Sequence, residues 1–181
     1  TATVNEAAFN ATDINAALDA LNTSGKKFRF VHVETSNNAG DSTAHALLAA
    51  ALQARLTTFE TQAKYRRGII ATNLTGADPS GDFTSVVASR VLIAHGRARM
   101  VAAANQIGFA VPTVPAARLF AVRAAGSLLS TDLKRVRGDG LNDGGALPNV
   151  IEIFEDEEKN PTDLGDIKVS TLRTWEGKNG F

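Results

Sequence analysis

Cysteine is absent from the 181 residues of the sequence, which removes disulfides, thiolate metal sites and cysteine nucleophiles and fits assembly in a reducing cytoplasm. A net charge is lacking too: 19 Lys+Arg balance 19 Asp+Glu. The total therefore gives no pointer to nucleic acid, an anionic membrane or a polyanionic substrate. No apolar run approaches the roughly 18 residues needed to cross a bilayer, and the N-terminus lacks the basic-then-apolar order of a signal peptide. Internal repeats and low-complexity tracts are missing as well. The chain opens at Thr1 rather than Met and stops at Phe181 directly after an expected strand, which reads as a piece of a longer chain.

At 44% apolar residues, the chain is long enough to bury one core and too short for two comfortable domains. A single α/β domain over 1–181 is expected. The balanced charge hides a polarity: residues 1–137 carry 15 Lys+Arg against 9 Asp+Glu, while 138–181 carry 4 against 10.

Ile14, Ala17, Leu18 and Leu21 recur at helical spacing after Thr12 and Asp13, either of which suits a cap, and Gly25 suits the stop. Lys27 to Glu34 reads as a strand, with Phe28, Phe30 and His32 on one side and Arg29, Val31 and Val33 on the other. Asp41 or Ser42 caps a long helix whose buried stripe is Leu48, Leu52, Leu56 and Phe59. Gly68 to Leu74 and Arg90 to Ala94 read as further strands, separated by a turn-rich loop and a short helix starting at Asp82. An alanine-rich helix spans Val114 to Leu129 with Leu119, Phe120 and Val122, and a Gly/Asp-rich loop follows to Asn149. Ile151 to Phe154 and Lys168 to Trp175 are expected to complete the sheet. The alternation predicts an α/β fold with a mixed, largely parallel sheet flanked by helices on both faces.

Motifs that carry chemistry are few. No G-x-x-x-x-G-K-[ST] phosphate loop is present. The loop Thr35-Ser36-Asn37-Asn38-Ala39-Gly40 lies between a strand and a helix, where amides bind anions, but Asp41 at the helix start repels one. Gly138-Asp139-Gly140-Leu141-Asn142-Asp143-Gly144 superficially matches a dinucleotide fingerprint or a calcium loop. It follows no strand, however, Leu141 replaces an oxygen ligand, and Val150 stands where the bidentate Glu belongs. His32, His45 and His95 have no partner at metal-ligand spacing, and there is no G-x-S-x-G elbow. Thr1 is set aside as an N-terminal nucleophile because the start reads as a boundary. Lys64, Tyr65, Arg66 and Arg67 form a basic, aromatic cluster of the kind that meets phosphates, with a solvated turn as the plainer reading. Glu155-Asp156-Glu157-Glu158 reads as a solvated or partner-facing acidic loop, because consecutive residues do not all converge on one ion. No catalytic residue, metal or cofactor is assigned.

Arg90-Val91-Leu92-Ile93-Ala94-His95-Gly96 resembles the Arg-Val strand and glycine turn of contractile phage tail sheath proteins. The arginine-bearing, alanine-rich helix Pro115-Ala116-Ala117-Arg118-Leu119-Phe120-Ala121-Val122-Arg123-Ala124-Ala125 is similar to the one that follows in that family. So are Leu129-Ser130-Thr131-Asp132-Leu133-Lys134-Arg135-Val136, the Leu147-Pro148-Asn149-Val150 approach to a strand, and the close Ser170-Thr171-Leu172-Arg173-Thr174-Trp175-Glu176-Gly177-Lys178-Asn179-Gly180-Phe181. The resemblance spans roughly Phe28 to Phe181 in short motifs. It departs from the family at Ala110-Val111-Pro112-Thr113 and in its single, spaced arginines, where Ser-Pro and paired arginines are frequent.

The resemblance implies a non-enzymatic structural subunit. Such subunits stack as rings or a helical sheath around a tail tube protein above a baseplate, and contract to drive the tube through the host envelope. The implied location is the virion tail, assembled in the host cytoplasm, with neither nucleic-acid binding nor membrane insertion. Terminal arms that add strands to neighbouring subunits belong to the same expectation. The charge polarity then offers subunit-interface candidates: basic Arg97, Arg99, Lys134, Arg135 and Arg137 facing acidic Glu152, Glu155, Asp156, Glu157 and Glu158 on adjacent copies. The alternative is a small enzyme or nucleotide-binding module on a doubly wound sheet, its ligand at the strand ends near Glu34 to Asp41 and Thr75 to Asp82.

Overall fold

The computed structural model describes residues 10–34, 40–79, 81–100, 113–126, 150–154, 164, 166–175 and 178–180. Helix α1 (Ala11–Thr23) starts from Asn10, not from Thr12 or Asp13. The Asn10 side chain accepts from the Thr12 amide at 2.8 Å, and the Asp13 carboxylate accepts from the Asn10 amide at 2.8 Å. This reciprocal box satisfies amide donors that a helix start otherwise leaves open. Ile14 and Leu18 are buried, but Ala17 and Leu21 face outward. The apolar stripe of α1 is thus narrower than its spacing implies, because the helix rests on one neighbour, α2 (Ser42–Thr61).

Helix α2 is capped by Asp41, whose carboxylate accepts from the Ala44 amide at 2.9 Å. Its expected stripe of Leu48, Leu52, Leu56 and Phe59 is buried, with Ala49 and His45 beside it. Burial of each such large side chain stabilises by about 1.5–3 kcal/mol relative to exposure.

Strands β1 (Phe30–Val33), β2 (Arg67–Ala71), β3 (Val91–His95) and β7 (Val169–Thr171) form a four-stranded sheet in the order β1-β2-β3-β7, parallel throughout. Alternation along the strands divides the core. Val31, Val33, Ile70, Val91, Ile93 and Val169 pack with α1 and α2. Phe30, Ile69, Ala71, Leu92 and Ala94 pack on the other face with α3 (Ala116–Gly126). Helices therefore cover both faces of the parallel sheet, as the strand-helix alternation predicts. Gly68 sits beneath α2 with no room for a side chain: a Cβ there would lie 2.5 Å from Leu52 Cδ2.

Gly96, with φ of +93°, turns the chain out of β3 into β4 (Arg97–Met100), a backbone conformation that a side chain disfavours. Strand β4 pairs antiparallel with β5 (Thr113–Pro115) and β6 (Val150–Ile153) in a separate three-stranded sheet. The Gly96 carbonyl accepts from the Ala116 amide at 2.9 Å, tying this turn to the start of α3.

Several expectations are corrected. The strand at 150–153 joins the small sheet and not the parallel one. The stretch Lys168 to Trp175 is split at buried Leu172 into β7 and β8 (Arg173–Trp175), and β8 pairs with β9 (Lys178–Gly180). Asp82 starts no helix. Its amide donates to the Pro79 carbonyl and the Val86 amide to the Phe83 carbonyl in successive turns, and Phe83 plugs the α2 side of the core. The α3 helix begins at Ala116, after Val114 and Pro115 have served in β5, and its Val122 is exposed. The expected Gly/Asp-rich loop lies outside the described residues.

Candidate functional site

Two places follow from the sequence: the outward face of the small sheet, where three of the interface candidates fall, and the carboxyl ends of the parallel strands. On β4 the side chains alternate, so Arg97 and Arg99 share one face while Ala98, fully buried, packs on the other. Arg99 and Glu152 are cross-strand partners, and their charged groups meet at 3.0 Å with each side chain nearly half exposed. A pair so exposed contributes about 0.2–1 kcal/mol to the fold. Both arginines also approach the Phe154 ring, with Cζ of Arg97 at 5.4 Å and of Arg99 at 5.6 Å from its centroid.

The structure thus brings Arg97, Arg99 and Glu152 together within one chain, and Arg99 answers Glu152 of its own copy. Lys134, Arg135, Arg137, Glu155, Asp156, Glu157 and Glu158 lie outside the described residues. Phe154 was not among the candidates. Its position one residue beyond β6, with its amide donating to the Arg97 carbonyl at 3.1 Å, makes it the aromatic floor of this arginine pair. The sequence signal was an aromatic next to a strand, which reads equally well as core.

At the carboxyl ends of the sheet, β1 ends in His32 and Val33, and Glu34 follows. Arg118 of α3 engages Glu34 through both Nε, at 3.1 Å, and Nη2, and these hydrogen bonds raise the Arg118 pKa. His32 Nε2 is 3.8 Å from Glu34 Oε2, beyond hydrogen-bonding reach, and has no partner. Burial holds the His32 pKa below its usual value; Glu34 opposes that shift and Arg118 adds to it. Burial thus favours the neutral imidazole.

The N-terminus of α2 stands at the same end of the sheet. Ser42 and Thr43 both donate their hydroxyls to Asp82, Thr43 at 2.8 Å. The Ser42 bond first, and then that of Thr43, lowers the Asp82 pKa. Asp41 already accepts from the first turn, so two carboxylates occupy the helix start that a phosphate would need.

His45 Nδ1 is 2.9 Å from the Asp41 carbonyl. A carbonyl only accepts, so Nδ1 donates, and the buried Nε2 has no hydrogen-bond partner. Thr72 Oγ1 and His95 Nδ1 lie 2.7 Å apart, a hydroxyl-imidazole pair of the kind used for nucleophile activation. With Thr72 at 0% and His95 at 1% exposure, the pair is closed to solvent. Among the described residues no three His, Cys, Asp or Glu side chains group to hold a metal ion, and no helix is long and apolar enough to cross a membrane. No family model, curated protein or solved structure matches this chain.

Proposed function

We propose that the chain is a structural subunit of a contractile tail sheath, which polymerises with copies of itself around a tube and changes lattice on contraction. The observation that carries this reading is that three of the resembling stretches fall, in chain order, on regular elements of the α/β fold. Arg90 to Gly96 forms β3 and its turn, Pro115 to Ala125 leads into and forms most of α3, and Ser170 to Gly180 covers β7 to β9. A machine of this kind needs a rigid core, faces that fit head to tail, and links that survive rearrangement.

Two features support those requirements. The small sheet sets Arg99 and Glu152 side by side and half exposed, so each charge remains open to exchange between its own chain and a neighbour as the lattice changes. Strand β7 has one hydrogen-bonded neighbour, β3, among the described residues, and an edge of this kind accepts an added strand whose backbone hydrogen bonds hold while side-chain contacts change. The nucleotide-binding alternative loses support at the α2 N-terminus, where Asp41 and Asp82 stand.

Replacing Glu155, Asp156, Glu157 and Glu158 together by lysine tests the reading, with the assembled product viewed by electron microscopy. Lost or misregistered assembly is expected. Tubes of unchanged lattice would refute the charge-steered contact.

A further inference from the structure

The amino ends of β1 and β2 lie at the opposite end of the sheet, beside the C-termini of α1 and α2, where a pocket of about 370 Å³ opens. Its cationic lining consists of Lys26, Lys27, Lys64 and Arg66, with Phe28 and Tyr65 as the aromatic walls, and among the described residues no carboxylate lines it. The volume lies within the range of small-ligand sites.

Arg66 is not the solvated turn residue that its neighbours in sequence imply. It is 8% exposed, its guanidinium Cζ lies 3.8 Å from the centroid of Phe28 and 4.9 Å from that of Phe59, and its buried Nη1 has no hydrogen-bond partner. The carboxylates on the two adjoining helices are engaged elsewhere: Asp19 by Arg55 and Glu60 by Arg90. The Lys64 ammonium donates to the neutral Asn22 side chain, at 2.8 Å. Two helix C-termini supply about half a negative charge each, which leaves most of the positive charge of four cations uncompensated. An unpartnered, desolvated guanidinium is costly unless an anion completes it.

We propose that this pocket binds a phosphate group, either the free ion or the head of a small phosphomonoester, with Arg66, Lys64, Lys26 and Lys27 as its cationic cradle. The stacking on Phe28 and Phe59 fixes the Arg66 plane in advance, so little side-chain entropy is lost on binding. A pocket of this volume at one end of the sheet is of a size for a small ligand, and the neighbouring Arg29, Arg67 and Arg90 at the same sheet edge make an oligonucleotide the control that the test includes. The site is independent of the sheath reading.

The test titrates the intact protein with inorganic phosphate and with glycerol 3-phosphate, at ionic strength fixed with chloride, while amide NMR shifts are followed. Saturable shifts clustered at residues 25–28 and 64–66 are expected. The double change Lys26→Gln with Lys27→Gln, or Lys64→Gln, is expected to weaken binding about tenfold, the effect of losing one charge-assisted hydrogen bond. These surface lysines keep the test valid if Arg66→Lys fails to fold. Tighter binding of the ester identifies a phosphorylated metabolite class, and equal binding identifies the free ion. Unsaturable shifts, shifts matched by chloride, unchanged affinity in the lysine variants, or binding of an oligonucleotide without binding of phosphate would each overturn the proposal.

Discussion

Substituting Gly68 by alanine places a methyl group against the packed contact between α2 and the parallel sheet. The added Cβ lies 2.5 Å from Leu52 Cδ2, 2.9 Å from Leu52 Cγ and 3.2 Å from Leu56 Cδ1. Both leucines are fully buried, so neither can swing into solvent, and the helix must lift or a rotamer must break. Overpacking of this kind costs about 1–3 kcal/mol. For a chain of this size each kcal/mol lowers the melting temperature by roughly 2–4 °C. Leu52→Ala alone costs about 2–5 kcal/mol by leaving a cavity. In the double variant the new methyl enters the space that Leu52 vacated, so the two losses combine to less than their sum, with a favourable coupling of about 0.5–3 kcal/mol. Urea unfolding of the four proteins measures this directly. Additive losses, or a Gly68→Ala protein as stable as the original, would refute the packing argument.

Asn10→Ala removes the cap of α1 and should destabilise by about 1 kcal/mol, read as a lower urea midpoint at unchanged slope. His32 has its pKa lowered by burial from the ordinary 6.5. Its unfolded form thus binds the proton first, and stability falls as pH drops below about 6.5 toward the folded value. His32→Gln should flatten that part of the melting-temperature profile, and an unchanged slope would contradict the assignment. A double-mutant cycle on Arg99 and Glu152 should give no more than about 1 kcal/mol of coupling in the folding of the free chain. The same substitutions should disturb assembly far more than folding.

Much of the parallel sheet and its α2 side was legible because periodicity is a property of the residues themselves. Leu48, Leu52, Leu56 and Phe59 fall on one stripe, and Phe30 to Val33 alternate, whatever else surrounds them. The rest depended on partners distant in sequence. Asn10, Thr12 and Asp13 are all good cap residues, and only the local backbone selects Asn10. Leu21 and Val122 fit an apolar pattern, yet both are exposed, and among the described residues no element covers them. Arg97 to Met100 has the alternation of a strand but carries two arginines, and nothing local says that it leaves the parallel sheet at Gly96 to pair with 150–153. The candidate site was legible in part for the same reason: Arg97 and Arg99 share a face by simple alternation, whereas their meeting with Glu152 and Phe154 is a tertiary fact. The burial of Arg66 was equally hidden, since a run of charged residues reads as surface until Phe28 and Phe59 are brought around it.

The central claim is that this protein works by packing against copies of itself, and sedimentation of the purified protein over a rising concentration series, with electron microscopy of the fastest-moving fraction, tests it most directly. The account predicts a concentration-dependent shift to large species that image as rings or tubes of uniform diameter. A single monomeric boundary at every concentration, from a protein whose melting temperature rises with added nucleotide, would contradict it.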